Sequence, residues 1–255
     1  MDLTWLGTAG FIVKSSSGDI AFDPFISRGK GQPSPFTAQS FANTEAVFIG
    51  HGHFDHTYDV PQILNSSDAQ VYAPGLTGYM LRLRGVQASK IIHTTNTEFI
   101  FKKYKVRAFK SSHINFDWPL VYSTLKRCQV SDCLNLCHVG LGYPKGLVQT
   151  YMFEIKNKKV LFISSAGCTD KELLTYKDLQ IDFLLAPLQG HSQIQDLVAK
   201  QVAFINPKVT IPHHHDNFYP PLSQEISVDI FKEKLKHHGF KGLLIEIPLF
   251  QSCDV

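Results

Sequence analysis

Short apolar runs punctuated by turn residues dominate the first quarter of the chain. Leu3 to Leu6, Gly10 to Lys14 and Ile20 to Asp23 are such runs, separated by Gly7 and by Ser15-Ser16-Ser17-Gly18. Runs of this length between glycines and serines predict a meander of strands with tight turns. Residues 27–43 are rich in Gly, Pro, Ser and Asn and predict a surface loop. Ala46-Val47-Phe48-Ile49 is wholly apolar, as a buried strand is, and it ends at Gly50 directly before a cluster of histidines.

Beyond residue 58 the pattern alternates between helix and strand periods. Asp59 to Leu64 predicts a helix with Pro61 in its first turn, where a missing N–H costs nothing. Val71-Tyr72 predicts a strand, Gly75 to Leu83 a helix, and Lys90 to His93, Glu98 to Phe101 and Lys105 to Lys110 further strands. Residues 114–146 show no clear period and read as an insertion. Strands return at Val148 to Ile155 and Lys159 to Ser164, joined by a hairpin at Lys156-Asn157-Lys158. Lys171 to Tyr176 predicts a helix, Asp182 to Ala186 a strand, Ser192 to Phe204 a helix and Lys208 to Ile211 a strand. An amphipathic helix over about Ser223 to His237 and a strand at Gly242 to Ile247 complete the series. Two halves, each with strands first and helices alternating later, predict two sheets packed face to face with helices outside.

Composition narrows the function classes. The 255 residues suit one domain, 1–255, carrying the insertion at about 114–146. At 44% hydrophobic and 18% charged residues, with a net charge of +3, the chain is neither disordered nor a polybasic nucleic-acid binder, so no nucleic-acid partner is expected. No apolar run is long enough to span a membrane, and the opening Met1-Asp2-Leu3-Thr4-Trp5 lacks the basic start and apolar stretch of a signal peptide. Five cysteines, an odd number, argue against a disulfide framework and for a reducing cytoplasm. The partner expected is a small-molecule substrate, and self-association into a homo-oligomer stays open.

Twelve histidines stand out, six of them at positions 51, 53, 56 and 213–215. His51-Gly52-His53-Phe54-Asp55-His56 puts four metal-ligand side chains within six residues, after a buried strand. In extended chain His51 and His53 project to the same side and can share one ion. Asp55 and His56 lie where the chain turns into the next helix and can face a second position nearby. Ser111-Ser112-His113 and Pro212-His213-His214-His215-Asp216 also follow predicted strands, so loops from one sandwich edge can converge on a cleft.

His51-Gly52-His53-Phe54-Asp55-His56 is similar to the HxHxDH motif of the metallo-β-lactamase superfamily. Thr4-Trp5-Leu6-Gly7-Thr8-Ala9-Gly10-Phe11, Asp23-Pro24-Phe25 and Pro212-His213-His214-His215-Asp216-Asn217-Phe218 resemble its branch of small metal-dependent hydrolases, which includes ascorbate-6-phosphate lactonase and, more distantly, N-acyl phosphatidylethanolamine phospholipase D. The resemblance implies an α/β fold, a four-layer αββα sandwich, with a metal site at one edge. It implies that His51, His53 and His113 hold a first metal and Asp55, His56 and His214 a second. His213 and His215 remain alternatives to His214. The ion implied is Zn2+, one or two per chain, with Mn2+ or Fe2+ as alternatives.

One departure from the family bears on the second ion. A bridging Asp is expected after the strand at 159–164, and Ala166 or Gly167 stands there instead. A weak or empty second site, substitution by Cys168 or Asp170, or a metal other than zinc are the consequences open. The expected activity is a metal-dependent hydrolase that uses metal-bound hydroxide on an ester, lactone or phosphodiester, with Asp55 positioning the water and His191 as candidate proton donor. The alternative is a catalytically degenerate metal-binding or ligand-sensing relative. Within the insertion, Cys128, Cys133, Cys137 and His138 offer a weak candidate for a structural zinc site, and Asn115 to Leu120 is an aromatic candidate pocket wall.

Overall fold

A computed structural model describes residues 2–14, 18–129, 131–132 and 139–254. The first sheet holds β1 (Asp2–Gly7), β2 (Gly10–Lys14), β3 (Asp19–Phe22), β4 (Thr44–Phe48), β5 (Gln70–Pro74) and β6 (Ile91–Thr94). The second holds β7 (Glu98–Ile100), β8 (Tyr104–Ser111), β9 (Val148–Ile155), β10 (Lys158–Ile163), β11 (Phe183–Pro187), β12 (Val209–His213) and β13 (Leu243–Leu244). The C-terminal strand β14 (Ser252–Asp254) pairs with β1, so the sheet orders are β14-β1-β2-β3-β4-β5-β6 and β13-β12-β11-β10-β9-β8-β7.

Period-two alternation decides which side chains meet between the sheets. Trp5, Phe11, Phe22 and Phe48 point inward from the first sheet and Tyr151, Phe153, Phe162 and Leu185 from the second, forming one cluster. Phe22 sits at its centre, 5.4 Å from the Phe48 ring, 5.0 Å from Phe153 and 5.3 Å from Phe162. The alternate residues face outward. Ile12, Val47 and Val71 pack under α2 (Val60–Asn65) and α3 (Gly75–Leu83) through Val60, Ile63 and Leu81. Leu161 and Leu184 pack under α5 (Asp170–Asp178), α6 (Ile194–Ile205) and α7 (Val228–His237) through Tyr176, Val198, Val202 and Phe231. The result is the αββα sandwich expected. Among the described residues no helix is long and apolar enough to cross a membrane.

Several boundaries differ from the sequence reading. A one-turn helix, α1 (Phe54–Thr57), follows the first histidines. The segment 114–146 holds α4 (Trp118–Arg127), with Asp117 at its N-cap and none of its residues buried. Leu120, Val121 and Leu125 face a cavity rather than the core and Trp118 and Tyr122 face outward, which hid the helix. The last long helix starts at Val228, where the Ser227 side chain accepts from Ile230 N, not at Ser223. The predicted strand at 242–247 contracts to two residues at the sheet edge. Cys133, Cys137 and His138 lie outside the described residues.

The topology brings the chemistry to one edge. β8, β10, β11 and β12 all run in one direction, because β9 is antiparallel to β8 and β10 while β10, β11 and β12 are mutually parallel. Their C-terminal ends deliver residues 112–113, 164–165, 188–190 and 214 to the rim that also receives the end of β4. There the two sheets touch: a Cβ on Gly50 would lie 2.0 Å from Ser164 Oγ, so only glycine fits.

Candidate metal centre

Three strand ends bring six metal-ligand side chains together. His51, His53 and His113 form one trio and Asp55, His56 and His214 another, each with its ligand atoms within 4.8 Å of one another. Both trios line one cavity of about 350 Å³. His51 Nε2 and His53 Nδ1 are 3.1 Å apart, and His214 Nε2 lies 3.2 Å from Asp55 Oδ2. His56 Nε2 lies 3.8 Å from the same oxygen.

The far nitrogens of these rings set which ones face the cluster. His113 Nδ1 donates to the Ile114 carbonyl at 2.6 Å, which leaves a lone pair on Nε2. His51 Nδ1 meets Ser164 Oγ at 2.9 Å, and His56 Nδ1 lies 2.7 Å from Asp23 Oδ2. Asp23 is fully buried, and its other oxygen accepts Gly50 N at 2.6 Å. These partners orient the rings before any ion arrives.

Electrostatics separates the trios. Burial, then the neighbouring imidazoles, holds His51 well below the usual histidine range. Burial is also the largest influence on His53 and His113, both lowered to about 4. All three rings are therefore neutral at neutral pH, the form that binds a metal. Burial acts against the charged form of His56 too, but Asp23 and Asp55 outweigh it and raise its pKa. For Asp55, burial opposes ionisation, yet His56 and His214 hold the carboxyl well below its usual range. Five imidazoles and one carboxylate converging on one cavity suit a borderline divalent cation such as zinc.

Of the three neighbouring histidines, His214 alone is directed at Asp55. Strand β12 ends at His213, and His214 takes a left-handed φ of 60°. His213 stacks on Phe162 with its Nε2 donating to the Ile163 carbonyl at 3.2 Å, and His215 stacks on Trp5 at 4.5 Å. Asp216 ties the loop down, accepting Thr8 N at 2.8 Å and pairing with buried Arg28. Thr8 O in turn accepts His214 N at 2.8 Å.

Other candidates from the sequence lie elsewhere. Ala166 packs in the outer core, while Ser164 and Ser165 line the cavity. The Cys168 thiol packs against the same core and is pushed up to about 12, mainly by burial. Asp170 is exposed at the start of α5. His191 is not among the cavity-lining residues: its Nδ1 accepts Gln193 N at 3.0 Å and its Nε2 lies 3.8 Å from Asp117 Oδ2. Asp23 and Ser164 were not recognised as site residues in the sequence. Asp23 carried a signal only as part of Asp23-Pro24-Phe25.

The model of the β-lactamase superfamily domain matches residues 19–215, spanning every one of these donors. The chain belongs to the metallo-β-lactamase superfamily. A UPF0173 metal-dependent hydrolase of Alkaliphilus metalliredigens is 30% identical over 240 residues, 92% of this chain and 93% of that protein. A second, from Staphylococcus aureus strain MRSA252, is 25% identical and covers 88% of this chain and 90% of its own. The chain is thus a member of a family of metal-dependent hydrolases. The same fold occurs in Igni18, a metallo hydrolase from Ignicoccus hospitalis, with TM-score 0.70, 19% identity and coverage of 99% of this chain and 97% of that one. It also occurs in an isothiocyanate hydrolase from Delia radicum gut bacteria, with TM-score 0.71, 12% identity and coverage of 100% and 99%.

Proposed function

We propose that the chain is a hydrolase of a small-molecule ester, lactone or phosphodiester that works with one or two zinc ions, manganese or iron being the alternatives. The observation that carries this reading is the pair of donor trios opening on one cavity. His51, His53 and His113 would hold one ion and Asp55, His56 and His214 a second. Such an ion lowers the pKa of a water toward neutrality and polarises the oxygen under attack.

The chain's own residues supply the rest. Asp55, kept ionised beside two imidazoles, would orient a water but, held so far below the usual carboxylate range, is a poor acceptor of its proton. Ser164 and Ser165, not a second carboxylate, line the cavity beside the trios, so the two positions would be joined less tightly than with a shared acid. Ser165 Oγ accepts Ile114 N at 3.1 Å and Ser164 holds His51, which gives both hydroxyls positioning roles. His191, with both ring nitrogens facing partners at the start of α6, is assigned to holding the 189–192 turn through Asp117. The degenerate reading draws no support from this geometry, since both trios are assembled.

We further propose that residues 1–255 form a single domain in which 114–146 is an insertion over the site, and that the protein works in the cytoplasm on a diffusible substrate. The test is hydrolysis of p-nitrophenyl acetate and bis-p-nitrophenyl phosphate before and after chelation, and after zinc or manganese is restored. Loss and recovery of rate are expected with at least one substrate. Equal rates throughout would overturn the reading.

A further inference from the structure

Helix α4 carries an apolar face that the body of the protein leaves uncovered. A surface helix normally buries its apolar stripe against a core, yet no residue of α4 is buried. Instead Leu120, Val121 and Leu125 line the cavity that holds the two donor trios. The helix is tied at its ends. Asp117 Oδ1 accepts Ser192 N at 3.0 Å, and Arg127 Nη1 donates to Gln224 Oε1 at 3.0 Å. It therefore spans the cavity as a strap, with Phe116 beside it and Phe218 and Leu222 among the other lining residues. Charge is confined to one end. Among the described lining residues the ionisable groups are the five histidines and Asp55, and neither lysine nor arginine is present.

On the basis of the hydrolase reading above, we infer that the substrate is a carbonyl ester or lactone bearing a medium-length hydrocarbon chain, which lies under α4 and covers its inner face. The donor trios take the polar carbonyl. The apolar compartment offers a hydrocarbon tail the burial that α4 lacks, and among the described lining residues it offers an anionic tail no lysine or arginine. A volume of about 350 Å³ is at the small end of ligand pockets, which suits a chain of moderate length rather than a polymer. In the hydrolytic step the carbonyl carbon gains the hydroxyl of water, the bond to the alkoxy oxygen breaks, and the other proton of that water ends on the alkoxy oxygen, giving a carboxylic acid and an alcohol, joined in one hydroxy acid when the substrate is a lactone.

The test uses metal-loaded protein and p-nitrophenyl acetate, butyrate, hexanoate and octanoate. Each buried methylene is expected to raise kcat/KM by about two- to fourfold until the compartment is filled. Replacing Leu120→Gln and Val121→Gln together should flatten that slope, whereas Trp118→Ser, on the outer face of the same helix, should keep it. Circular dichroism confirms that each variant is folded. A second readout needs no turnover: the neutral fluorophore N-phenyl-1-naphthylamine should bind metal-free protein and be displaced by methyl octanoate but not by methyl acetate, and the double variant should weaken its binding. A flat chain-length profile in a chelator-sensitive enzyme overturns this inference and leaves the hydrolase reading intact. Displacement by methyl octanoate without hydrolysis of any ester supports the apolar compartment but overturns the ester assignment, and it overturns the hydrolase reading as well when bis-p-nitrophenyl phosphate is also left intact. Failure of both the slope and the displacement overturns the inference outright.

Discussion

Replacing Asp23 by Asn exchanges one buried oxygen for an amide nitrogen while keeping the side chain's shape. Gly50 N–H, 2.6 Å from Oδ1, requires an acceptor and fixes which way the new amide points. The amide nitrogen must then face His56 Nδ1, where Asp23 Oδ2 stood at 2.7 Å. A donor at that place selects the His56 tautomer with its proton on Nε2, the nitrogen that faces Asp55 and His214. The proton blocks the lone pair that would bind an ion, and the charge partner that raises the ring's pKa is lost. Loss of such a supporting contact weakens metal binding by about 10- to 100-fold, or roughly 1.4–2.8 kcal/mol. The weakening should fall on the trio containing His56. His51 is held by Ser164 and His113 by Ile114, and neither contact involves Asp23. Competition titration against a chromogenic chelator resolves the two binding events. Asp23→Asn should leave the tighter one unchanged and weaken the other. Equal loss at both positions, or no change at either, would refute this coupling.

Acidification should strip the two positions in order, because His56 takes up protons more readily than an ordinary histidine whereas His53 and His113 resist them to about pH 4; metal content in samples dialysed at descending pH checks this, and simultaneous release would contradict it. Metal-free protein should lose stability as pH falls from about 6.5. His51, His53, His113, His213 and His215 have lowered folded-state values, so the unfolded chain binds their protons first. His56, with a raised value, acts in the opposite sense, so urea midpoints measured against pH should show the majority prevailing. Arg28→Met leaves Asp216 buried without its cation and should destabilise by about 3–5 kcal/mol; a change below about 1 kcal/mol in urea unfolding would show that the Thr8 contact suffices. His191→Ala should retain kcat to within about threefold, since a proton donor is worth about 100-fold or more, and a loss of that larger size would make His191 the donor.

The histidine-rich segments were legible because metal-ligand side chains crowd together after apolar strands, and strand ends of one direction share an edge. The four layers were legible for a similar reason: positions such as Phe11, Phe22 and Phe48 alternate with outward-facing Ile12, Ala21 and Val47. Helix α4 was not, since apolar residues stand on both its cavity side and its outer side and no core stripe marks the period. The resemblance put Ala166 or Gly167 at the bridging position after a strand, but β10 ends at Ile163 and alternation does not extend past it. Ser164 and Ser165 consequently reach the cavity instead. Asp23 was hidden because its partner, His56, comes from the one-turn helix α1 beyond the neighbouring strand, and a local pattern carries no trace of a contact made across the sheet.

Metal analysis of purified, zinc-reconstituted protein beside its His51→Ala and His113→Ala variants bears most directly on the metal centre. One or two equivalents per chain are predicted for the native sequence, with the tighter equivalent lost in both variants while each stays folded. A native protein that retains no zinc, or variants that retain the full complement, would contradict it.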